Sequence, residues 1–351
     1  MKTILLLFLI LFSNYFCFSY KAITGEVDSN NSHILNLDDD GNLTIEKTIT
    51  LSTTAETIAV ALNGKFAFSS SINIHAYSID KNLNVTYIGD SYIGGVGHIA
   101  ITSDLNYLMF FAWPNGNSGL QLYKINEDLS LSPTGSYIPY NETLDPLEYE
   151  ESKINNIILA NNSFYKEIAI FRRIEDQIFD TCQRISIDPY KGNADLVMTP
   201  NGRFCYISGA PPKSTVCCEI LPDGNVVYKG CVLTEGSSQG NKITSDSRYL
   251  LTLGGGVWSL RIEDDGSLTF IDKSEDLPLA QGLAITPDNK YVYVAWNHNL
   301  QGQIISIFRL YPDGTLQKLD KDKLFPQIFT DTQFIPPYVT YTDDEIWEMY
   351  E

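Results

Sequence analysis

Short stretches of alternating or β-branched residues, each bounded by turn formers, recur along the whole chain. The clearest block runs from Gly282 to Leu316. It contains the runs GLAIT, YVYVAW and QIISIFRL, followed by Pro312-Asp313-Gly314 and TLQKL. Alternating valine, isoleucine and aromatic residues favour strands, and Asn, Asp, Pro and Gly favour the turns between them. The block therefore predicts four antiparallel strands, the last two joined by a two-residue Asp-Gly hairpin.

Degraded copies of this block occur from end to end. Hairpin turns recur at Asp40-Gly41, Asn82-Leu83, Asp128-Leu129, Asp176-Gln177, Asp223-Gly224, Asp265-Gly266 and Asp313-Gly314. The first two strands of the unit repeat separately in residues 57–68, 98–110, 195–207, 241–253 and 282–294. We assign residues 153–174 to the same place in blade three and residues 139–152 to a loop before it. A four-stranded unit repeated at near-equal spacing is typical of a β-propeller.

The two ends of the chain are out of phase with this unit. The N-terminal region HILNLDDDGNLTIEKTI matches its last two strands, and the C-terminal PPYVTYTDDEIWEMY matches its first two. Pairing the two ends completes a seventh blade and removes the open edges of the array. We therefore predict an all-β fold, a seven-bladed β-propeller whose ring is closed by pairing N-terminal and C-terminal strands in one blade. Residues 20–351 form this single domain.

The first residues of the chain have a different pattern. Residues 1–19 contain Lys2 followed by an apolar run over residues 4–12 and the small residues Ser13 and Ser19. This is the pattern of a secretory signal peptide, and Ser13 and Asn14 interrupt the run before it is long enough to span a bilayer. We therefore expect a secreted protein, extracellular or in the lumen of the secretory pathway, with no membrane span in the mature chain.

Charge restricts the partners of the protein. The chain has 43 acidic and 24 basic residues, a formal net charge of -19, and 44% hydrophobic residues. This content is ample for a core, and no basic run offsets the repulsion from polyanions. Nucleic acid and anionic membrane surfaces are therefore poor partners for this chain, and we expect it to bind no nucleic acid.

Export makes two modifications plausible. Sequons for N-glycosylation occur at Asn30, Asn42, Asn84, Asn141 and Asn161, and all lie in predicted turns or loops. Apart from Cys17 in the leader, the cysteines are Cys182, Cys205, Cys217, Cys218 and Cys231. An oxidising compartment favours disulfides among them, with one cysteine left over. A metal site is the alternative, but no histidine lies nearby and no C-x-x-C spacing occurs.

The pattern T-P-D-x-K-Y-V-Y-V-A, a polar loop, then I-S-I-F-R-L-x-P-D-G-T-L in blade six resembles the lactonase family of propellers. This family includes proteins like 6-phosphogluconolactonase and carboxy-cis,cis-muconate cyclase. Blade two is similar to the family in its His98 at the start of the inner strand. The family often has Arg-His before the inner strands of blades four and six, and a Glu after the second strand of blade four. This chain has Ala194-Asp195, Gln281-Gly282 and Gly209-Ala210 at these places.

The starting ends of inner strands ring the mouth of a propeller's channel, where ligands meet the loops of several blades. Alignment of the blades gives equivalent ring positions to Thr57, His98, Asn156, Asp195, Gly240, Gly282 and Tyr338, with Glu56 and Gln281 one residue earlier. His98 is the candidate acid/base, because opening or closing a lactone needs a proton moved near neutral pH. Asp195 or Glu56 could orient it. The simpler reading is that His98 caps its strand.

Other residues of the mouth are candidates for ligand contacts. We expect Asn156, Gln281 and Tyr338 to contact a ligand there, and Trp113 and Trp296 to stack on a sugar or a partner or to fill the gap between blades. His33, His75 and His298 are scattered, so we expect no metal and no cofactor.

Two functions follow from these features. The first is a lactonase-like or cyclase-like enzyme that acts on a small lactone or carboxylate at the mouth. The second is a non-catalytic extracellular propeller that binds a protein or glycan through its loops.

Overall fold

The fold consists of β-strands connected by turns and loops. It is known from a computed structural model, which describes residues 20–26, 29–94, 96–112, 119–139, 146–162, 167–187, 191–210, 214–234, 240–277, 280, 282–299, 302–320, 322–325 and 329–336. Within these ranges no helix is long and apolar enough to cross a lipid bilayer. The predicted signal peptide, residues 1–19, lies outside the described residues.

The strands follow one another in groups along the chain. The first three are β1 (Tyr20–Glu26), β2 (Asn31–Leu37) and β3 (Leu43–Thr50). Blade one contains β4 (Thr57–Val60), β5 (Phe66–Ser70), β6 (Asn73–Ile79) and β7 (Val85–Tyr92). Blade two contains β8 (Val96–Ile101), β9 (Tyr107–Ala112), β10 (Gly119–Ile125) and β11 (Leu131–Pro139). Blade three contains β12 (Pro146–Glu151), β13 (Ile157–Asn162), β14 (Glu167–Ile174) and β15 (Gln177–Ser186).

The remaining groups follow the same order. Blade four contains β16 (Lys191–Met198), β17 (Phe204–Ala210), β18 (Ser214–Ile220) and β19 (Val226–Leu233). Blade five contains β20 (Asn241–Ile243), β21 (Tyr249–Leu253), β22 (Val257–Ile262) and β23 (Leu268–Lys273). Blade six contains β24 (Gly282–Ile285), β25 (Tyr291–Asn299), β26 (Gly302–Leu310), β27 (Leu316–Lys318) and β28 (Lys323–Phe325). The last strand is β29 (Phe329–Phe334).

Each group forms an antiparallel sheet in chain order, and β28 pairs with β26 beside β27. The innermost strands β4, β8, β12, β16, β20, β24 and β29 each contact the next in turn, and β29 contacts β4. The ring of seven blades is therefore closed, and the predicted all-β propeller is confirmed.

Blade seven closes the ring by pairing the two ends of the chain, but not in the predicted way. Its strand order is β29-β1-β2-β3, with Ala22 opposite Phe334. The chain start thus supplies three strands and the chain end supplies one, because residues 20–26 form a strand that the sequence pattern had left out. The strand that pairs with β1 is β29, which precedes the predicted partner segment, and all of that segment after Pro336 lies outside the described residues. Tyr338 lies outside the described residues.

Blade three also differs from the prediction. Residues 139–152 were assigned to a loop, yet they contain the inner strand β12, in which Tyr149 is fully buried. Residues 153–174 supply the second and third strands, β13 and β14. The acidic residues of β12 hid it, because a strand with Glu148, Glu150 and Glu151 does not have the apolar pattern of its counterparts.

Six of the seven outer hairpins have three-residue loops in place of the predicted two-residue turns, whereas blade three has a two-residue turn with Ile174 opposite Gln177. In blade six the Tyr311 amide donates to the Thr315 carbonyl at 2.9 Å and the Gly314 amide donates to the Tyr311 carbonyl at 2.9 Å. Gly314 has a φ of 88°. A type I turn followed by one left-handed residue gives this geometry. Only the last residue of the loop needs a positive φ.

The core lies between the blades. Seven clusters of buried side chains fill the described structure. For example, Tyr206, Cys217, Leu250 and Leu260 join blades four and five. Packing of each sheet on both of its neighbours holds the inner strands around the channel.

Candidate functional site

The mouth of the channel is defined by one register position in the seven inner strands. In each blade the inner strand is followed by a residue whose amide donates to the start of the second strand, as Thr102 does to the Tyr107 carbonyl at 2.9 Å. We call the residue four positions before the one that carries this amide the ring position of the blade. The seven ring positions are Thr57, His98, Glu148, Asp195, Gly240, Gly282 and Asp331.

This register confirms five of the predicted ring positions and corrects two. Asn156 lies in the turn between β12 and β13, at the other end of the inner strand, and its carbonyl accepts from the Arg173 amide. It therefore cannot share a mouth with His98, and Glu148 occupies its predicted place. Asp331 takes the place predicted for Tyr338. Both errors follow from the missed inner strand of blade three and the missed first strand of blade seven.

His98 is half-buried and lies against the next blade. Its ring packs edge-to-face on Tyr149, with 5.1 Å between ring centroids. The Tyr149 hydroxyl donates to the His98 carbonyl and also to the Met109 carbonyl at 3.4 Å. Because Tyr149 is fully buried in β12, it fixes the backbone and the ring of His98 from the neighbouring blade. Tyr149 was missed at the sequence level because its strand was missed.

Glu56 lies on blade one, one residue before the ring position Thr57. Glu56 is exposed, and its amide donates to the Ser70 carbonyl at 2.8 Å. The hydroxyls of Thr57 and Ser70 donate to the Gly97 carbonyl at 3.3 and 2.9 Å. Glu56 and His98 thus flank the hydrogen bonds that join blades one and two.

Asp195 lies two blades further round the ring. One of its carboxylate oxygens accepts the Asn241 amide at 2.9 Å, and its carbonyl accepts the Asn241 side-chain amide at 3.0 Å. These bonds join blades four and five at the mouth. Part of the carboxylate is therefore used in structure, which limits its freedom to act as a base.

The structure gives little support to a ligand contact at the remaining predicted positions. Trp296 is half-buried, donates to the Ser306 hydroxyl at 2.8 Å and lies under the Lys318 ammonium at 6.0 Å. It also packs against a cluster of buried side chains from blades five and six, which supports the alternative that it fills the space between blades. Gln281 and Trp113 lie outside the described residues, as does the side chain of His298.

A buried ionic cluster lies at the opposite end of blades two and three. The Arg173 guanidinium is 2.6 Å from Glu151 and 3.1 Å from Asp104. Glu151 also accepts the Ser103 amide at 2.7 Å. Burial opposes the charge of Arg173, but these carboxylates outweigh it and raise its pKa. The cluster joins two blades away from the mouth, so we assign it to structure.

Metal binding has no support among the described residues, where no three His, Cys, Asp or Glu side chains converge. His75 is fully buried, and burial lowers its pKa although Asp90 opposes this. His33 is also buried, with its ring nitrogens 3.0 Å from the Thr48 hydroxyl and 3.2 Å from Glu26. These two histidines hold loops and strands together.

The five cysteines of the described residues are free thiols, so the expected disulfides are absent from this structure. Cys205 lies opposite Cys218 on one side of blade four, whereas Cys217 faces the other side. Cys231 lies opposite Val216, and Cys182 is exposed on blade three. The register thus leaves Cys205 and Cys218 as the one directly opposed pair among them.

The sequons differ in their accessibility. Asn30 and Asn84 are exposed and Asn42 is half-buried in a hairpin loop. Asn161 is fully buried in β13, so this fold leaves no room for a glycan on it. Asn141 lies outside the described residues.

The fold of this chain is similar to that of solved structures named as lactonases. No protein-family profile matches this sequence, and no curated protein matches it. Solved structures do. A candidate 6-phosphogluconolactonase from Bacteroides fragilis has a TM-score of 0.74 at 16% identity, over 90% of this chain and 98% of that one. A second candidate from Bacteroides uniformis has a TM-score of 0.75 at 14% identity, over 90% and 99%.

The periplasmic gluconolactonase PpgL of Pseudomonas aeruginosa is similar to the same degree. Its TM-score is 0.74 at 13% identity, over 91% of this chain and 99% of that one. At such identities the likeness shows the fold. The resemblance read from blades two and six is confirmed at this level.

Proposed function

We propose that this protein is a secreted lactonase-like enzyme that hydrolyses or forms a small lactone at the channel mouth, with His98 as its acid/base. The observation that carries the proposal is the placement of His98 at a ring position, with its carbonyl and its ring both held by Tyr149. The solved propellers named as gluconolactonase or 6-phosphogluconolactonase support the same chemistry. The leader supports export.

In this mechanism His98 takes a proton from the attacking water and later returns one to the leaving hydroxyl. Glu56, one residue before the ring position of blade one, is the candidate partner carboxylate for this proton transfer. Asp195 contributes charge and a hydrogen-bond acceptor on the far side of the mouth. General acid–base catalysis of this kind is typically worth about a hundredfold to ten-thousandfold in rate.

The test is hydrolysis of glucono-δ-lactone by the purified protein, followed by pH-stat to separate catalysis from the spontaneous reaction. We expect His98→Ala to lower kcat by about a hundredfold or more and Glu56→Gln to lower it less. Glu127→Gln is the matched control for Glu56→Gln, because Glu127 lies in the exposed outer hairpin of blade two, at the end of the propeller away from the mouth. Equal rates for the wild type and His98→Ala would remove His98 from the mechanism.

A second candidate function, binding of an extracellular protein or glycan through the loops, is favoured by one observation. Ile72 and Tyr92 are 52% and 77% exposed, and they are adjacent because Asn73 lies opposite Tyr92 in the sheet. Exposed apolar side chains that lie together mark interaction sites. This patch lies on the loop side of blade one, the same end as the mouth.

The two functions separate in one experiment. Under the binding function, Ile72→Asp with Tyr92→Asp abolishes capture of glycans or extracellular proteins, and His98→Ala does not. Under the enzymatic function, His98→Ala lowers the rate of lactone hydrolysis, and Ile72→Asp with Tyr92→Asp does not.

A further inference from the structure

The seam between blades four and five contains two neighbouring layers of side chains that differ in polarity. The layer further from the mouth is apolar. In blade four Tyr206 lies opposite Cys217, and in blade five Leu250 lies opposite Ile243. All four pack in one cluster that joins the two blades. Apolar contact therefore closes this part of the seam.

The layer nearer the mouth is polar. Side chains two positions apart on a strand lie on the same side of the sheet, so the residues two positions closer to the mouth face the same seam. They are Ser208 opposite Thr215 in blade four and Asn241 opposite Thr252 in blade five. We call these four residues the polar layer. Two pairs of polar side chains thus face the same gap between two sheets.

The polar layer is buried, but its side-chain oxygens have no protein partner. All four residues are fully buried. The Oγ of Ser208, the Oγ1 atoms of the two threonines and the Oδ1 of Asn241 make no hydrogen bond among the described residues. Turning the Asn241 amide over would break the bond that its Nδ2 donates to the Asp195 carbonyl at 3.0 Å. The amide oxygen of Asn241 therefore needs a donor from another molecule.

Buried hydroxyls at two other seams are bonded directly to protein atoms. Ser70 donates to the Gly97 carbonyl at 2.9 Å between blades one and two. Ser152 donates to the Gly202 carbonyl at 2.7 Å between blades three and four. Both serines are fully buried. The polar layer differs from these seams because its two blades are not joined by direct bonds between its own side chains.

Water fits the polar layer better than an ion or a larger ligand does. A buried polar atom without a partner is costly, and native proteins normally satisfy it. Water donates to the Asn241 oxygen, which only accepts, and it both donates to and accepts from hydroxyls. No side chain of the layer is charged, which disfavours a bare cation. A ligand at the mouth does not reach these atoms, because they are fully buried.

The seam also has more room at the polar layer. Tyr206 and Leu250 fill the gap in the apolar layer, whereas Ser208 and Thr252 take the corresponding places in the polar layer. Shorter side chains between the same two sheets leave space, and a water molecule needs about 30 Å³.

We propose that about two water molecules are bound in the polar layer and bridge blades four and five. Buried waters make about three hydrogen bonds each, so two of them satisfy the four protein oxygens and each other. They hold the oxygen of Asn241, whose backbone and side-chain nitrogens both donate to Asp195. The position of Asp195 at the mouth thus depends on water bound behind it. This water site does not depend on the proposed lactone chemistry.

A high-resolution crystal structure tests the site directly. We expect electron density for water within about 2.7–3.2 Å of the Thr252 Oγ1 and the Asn241 Oδ1. Hydroxyls bonded to backbone carbonyls in a dry seam would overturn the proposal. A cation would overturn it too, and would be recognised by six or more oxygen ligands at about 2.3–2.6 Å.

Thr252→Val tests the same water in solution. Valine has the shape of threonine but no hydroxyl, so the bound water loses one of its partners. We expect the folding equilibrium constant from urea unfolding to fall by about threefold to tenfold. In a dry seam the same change would remove an unpaired buried hydroxyl and raise the constant. An unchanged or raised constant therefore overturns the proposal.

Thr215→Val makes the same change on the other side of the seam and should lower the constant to a similar extent. Thr199→Val is the matched control. Thr199 is also buried, but its hydroxyl donates to the Asn201 side chain at 2.7 Å and accepts from the Phe204 amide at 3.0 Å. The control lowers the constant whether or not water is bound in the seam, so the sign of the change in the two polar-layer variants decides.

Discussion

The Tyr149 hydroxyl donates to the carbonyl of His98 across the gap between blades two and three, and the two rings pack edge-to-face. A residue of the next blade therefore sets the position of the candidate base. The acid/base geometry depends on how two blades pack, and each partner of this contact can be changed separately.

Tyr149→Phe removes the hydroxyl and keeps the ring. We expect kcat for lactone hydrolysis to fall by about tenfold, because small displacements of a catalytic group cost up to about a hundredfold. Tyr149 is a positioning residue, so the pH profile should keep its shape. Tyr123→Phe, which alters a half-buried tyrosine packed on Phe110, is the control and should leave kcat unchanged. A changed apparent pKa in Tyr149→Phe would contradict the positioning role.

The Arg173 cluster predicts a large effect on stability. Arg173→Met leaves the Glu151 carboxylate buried without its guanidinium partner, and breaking a buried pair costs about 3–5 kcal/mol. Arg184→Met is the matched control, because Arg184 pairs with Asp180 at 2.7 Å nearer the surface. Exposed pairs contribute about 0–1 kcal/mol. The free energy of unfolding in urea measures both. Similar losses in the two variants would show that the Arg173 cluster is no stronger than a surface pair.

Gly314 should not tolerate a side chain. Its φ is 88°, and a Cβ there would lie 2.4 Å from the ring of Tyr249 in blade five. Gly135 has a similar φ of 81°, but a Cβ there would have no neighbour within 4 Å. Gly135→Ala therefore reports backbone strain alone, about 1–2 kcal/mol, and Gly314→Ala adds about 1–3 kcal/mol of overpacking. Equal changes in the free energy of unfolding would mean that Tyr249 moves aside without cost.

His75 predicts a pH dependence of stability. Burial lowers its pKa below the ordinary 6.5, with Asp90 opposing, while Thr53 contacts its ring at 3.1 Å and Tyr87 packs on it. The unfolded chain therefore binds a proton at a higher pH than the folded protein does. This contribution to stability is complete above pH 6.5 and is lost as the pH falls towards the lowered pKa, by up to about 1.4 kcal/mol per pH unit.

Urea unfolding of the wild type and of His75→Gln between pH 7.5 and 5 measures the contribution of His75 to stability. This pH range spans the window in which the contribution is lost. We expect the difference between the two free energies of unfolding to shrink as the pH falls. A constant difference would show that His75 keeps its ordinary pKa in the folded protein.

The thiols should differ strongly in reactivity. Burial raises the pKa of Cys217 to about 12 and that of Cys205 well above the ordinary range, whereas Cys182 is exposed. Because the thiolate is the reactive form, iodoacetamide should alkylate Cys182 in the native protein and reach Cys205, Cys217 and Cys218 only on unfolding. Mass spectrometry of protein prepared under oxidising conditions also tests whether Cys205 and Cys218 become linked, since alkylation in denaturant would then miss both.

Most of the fold could be predicted because the repeat was clear wherever apolar periodicity marked the strands. The ring positions of blades one, two, four, five and six followed directly from it. Blade three could not be predicted in the same way, because β12 alternates glutamates with Tyr149 and the pattern of a surface loop is similar. The repeated turn after each inner strand would have located it, since Ser152 takes the place of Thr102.

The chemistry was less predictable than the fold, because it depends on contacts between blades. The sequence indicated His98 but not the residue that holds it. It also placed Asn156 at the mouth, where the register places Glu148. A sequence pattern does not show which residues of a neighbouring blade a side chain contacts. Tyr149 contacts His98 across such a boundary, and Asn241 contacts Asp195.

The seam in blade seven makes the beginning and the end of the domain depend on each other. Strand β1 hydrogen-bonds to β2 on one side and to β29 on the other. Until β29 arrives, one edge of β1 is open and the packing between blades six and one is incomplete. During synthesis the circle can therefore close only after the last strand has emerged, so a chain that stops short of β29 would expose an unpaired edge to other molecules.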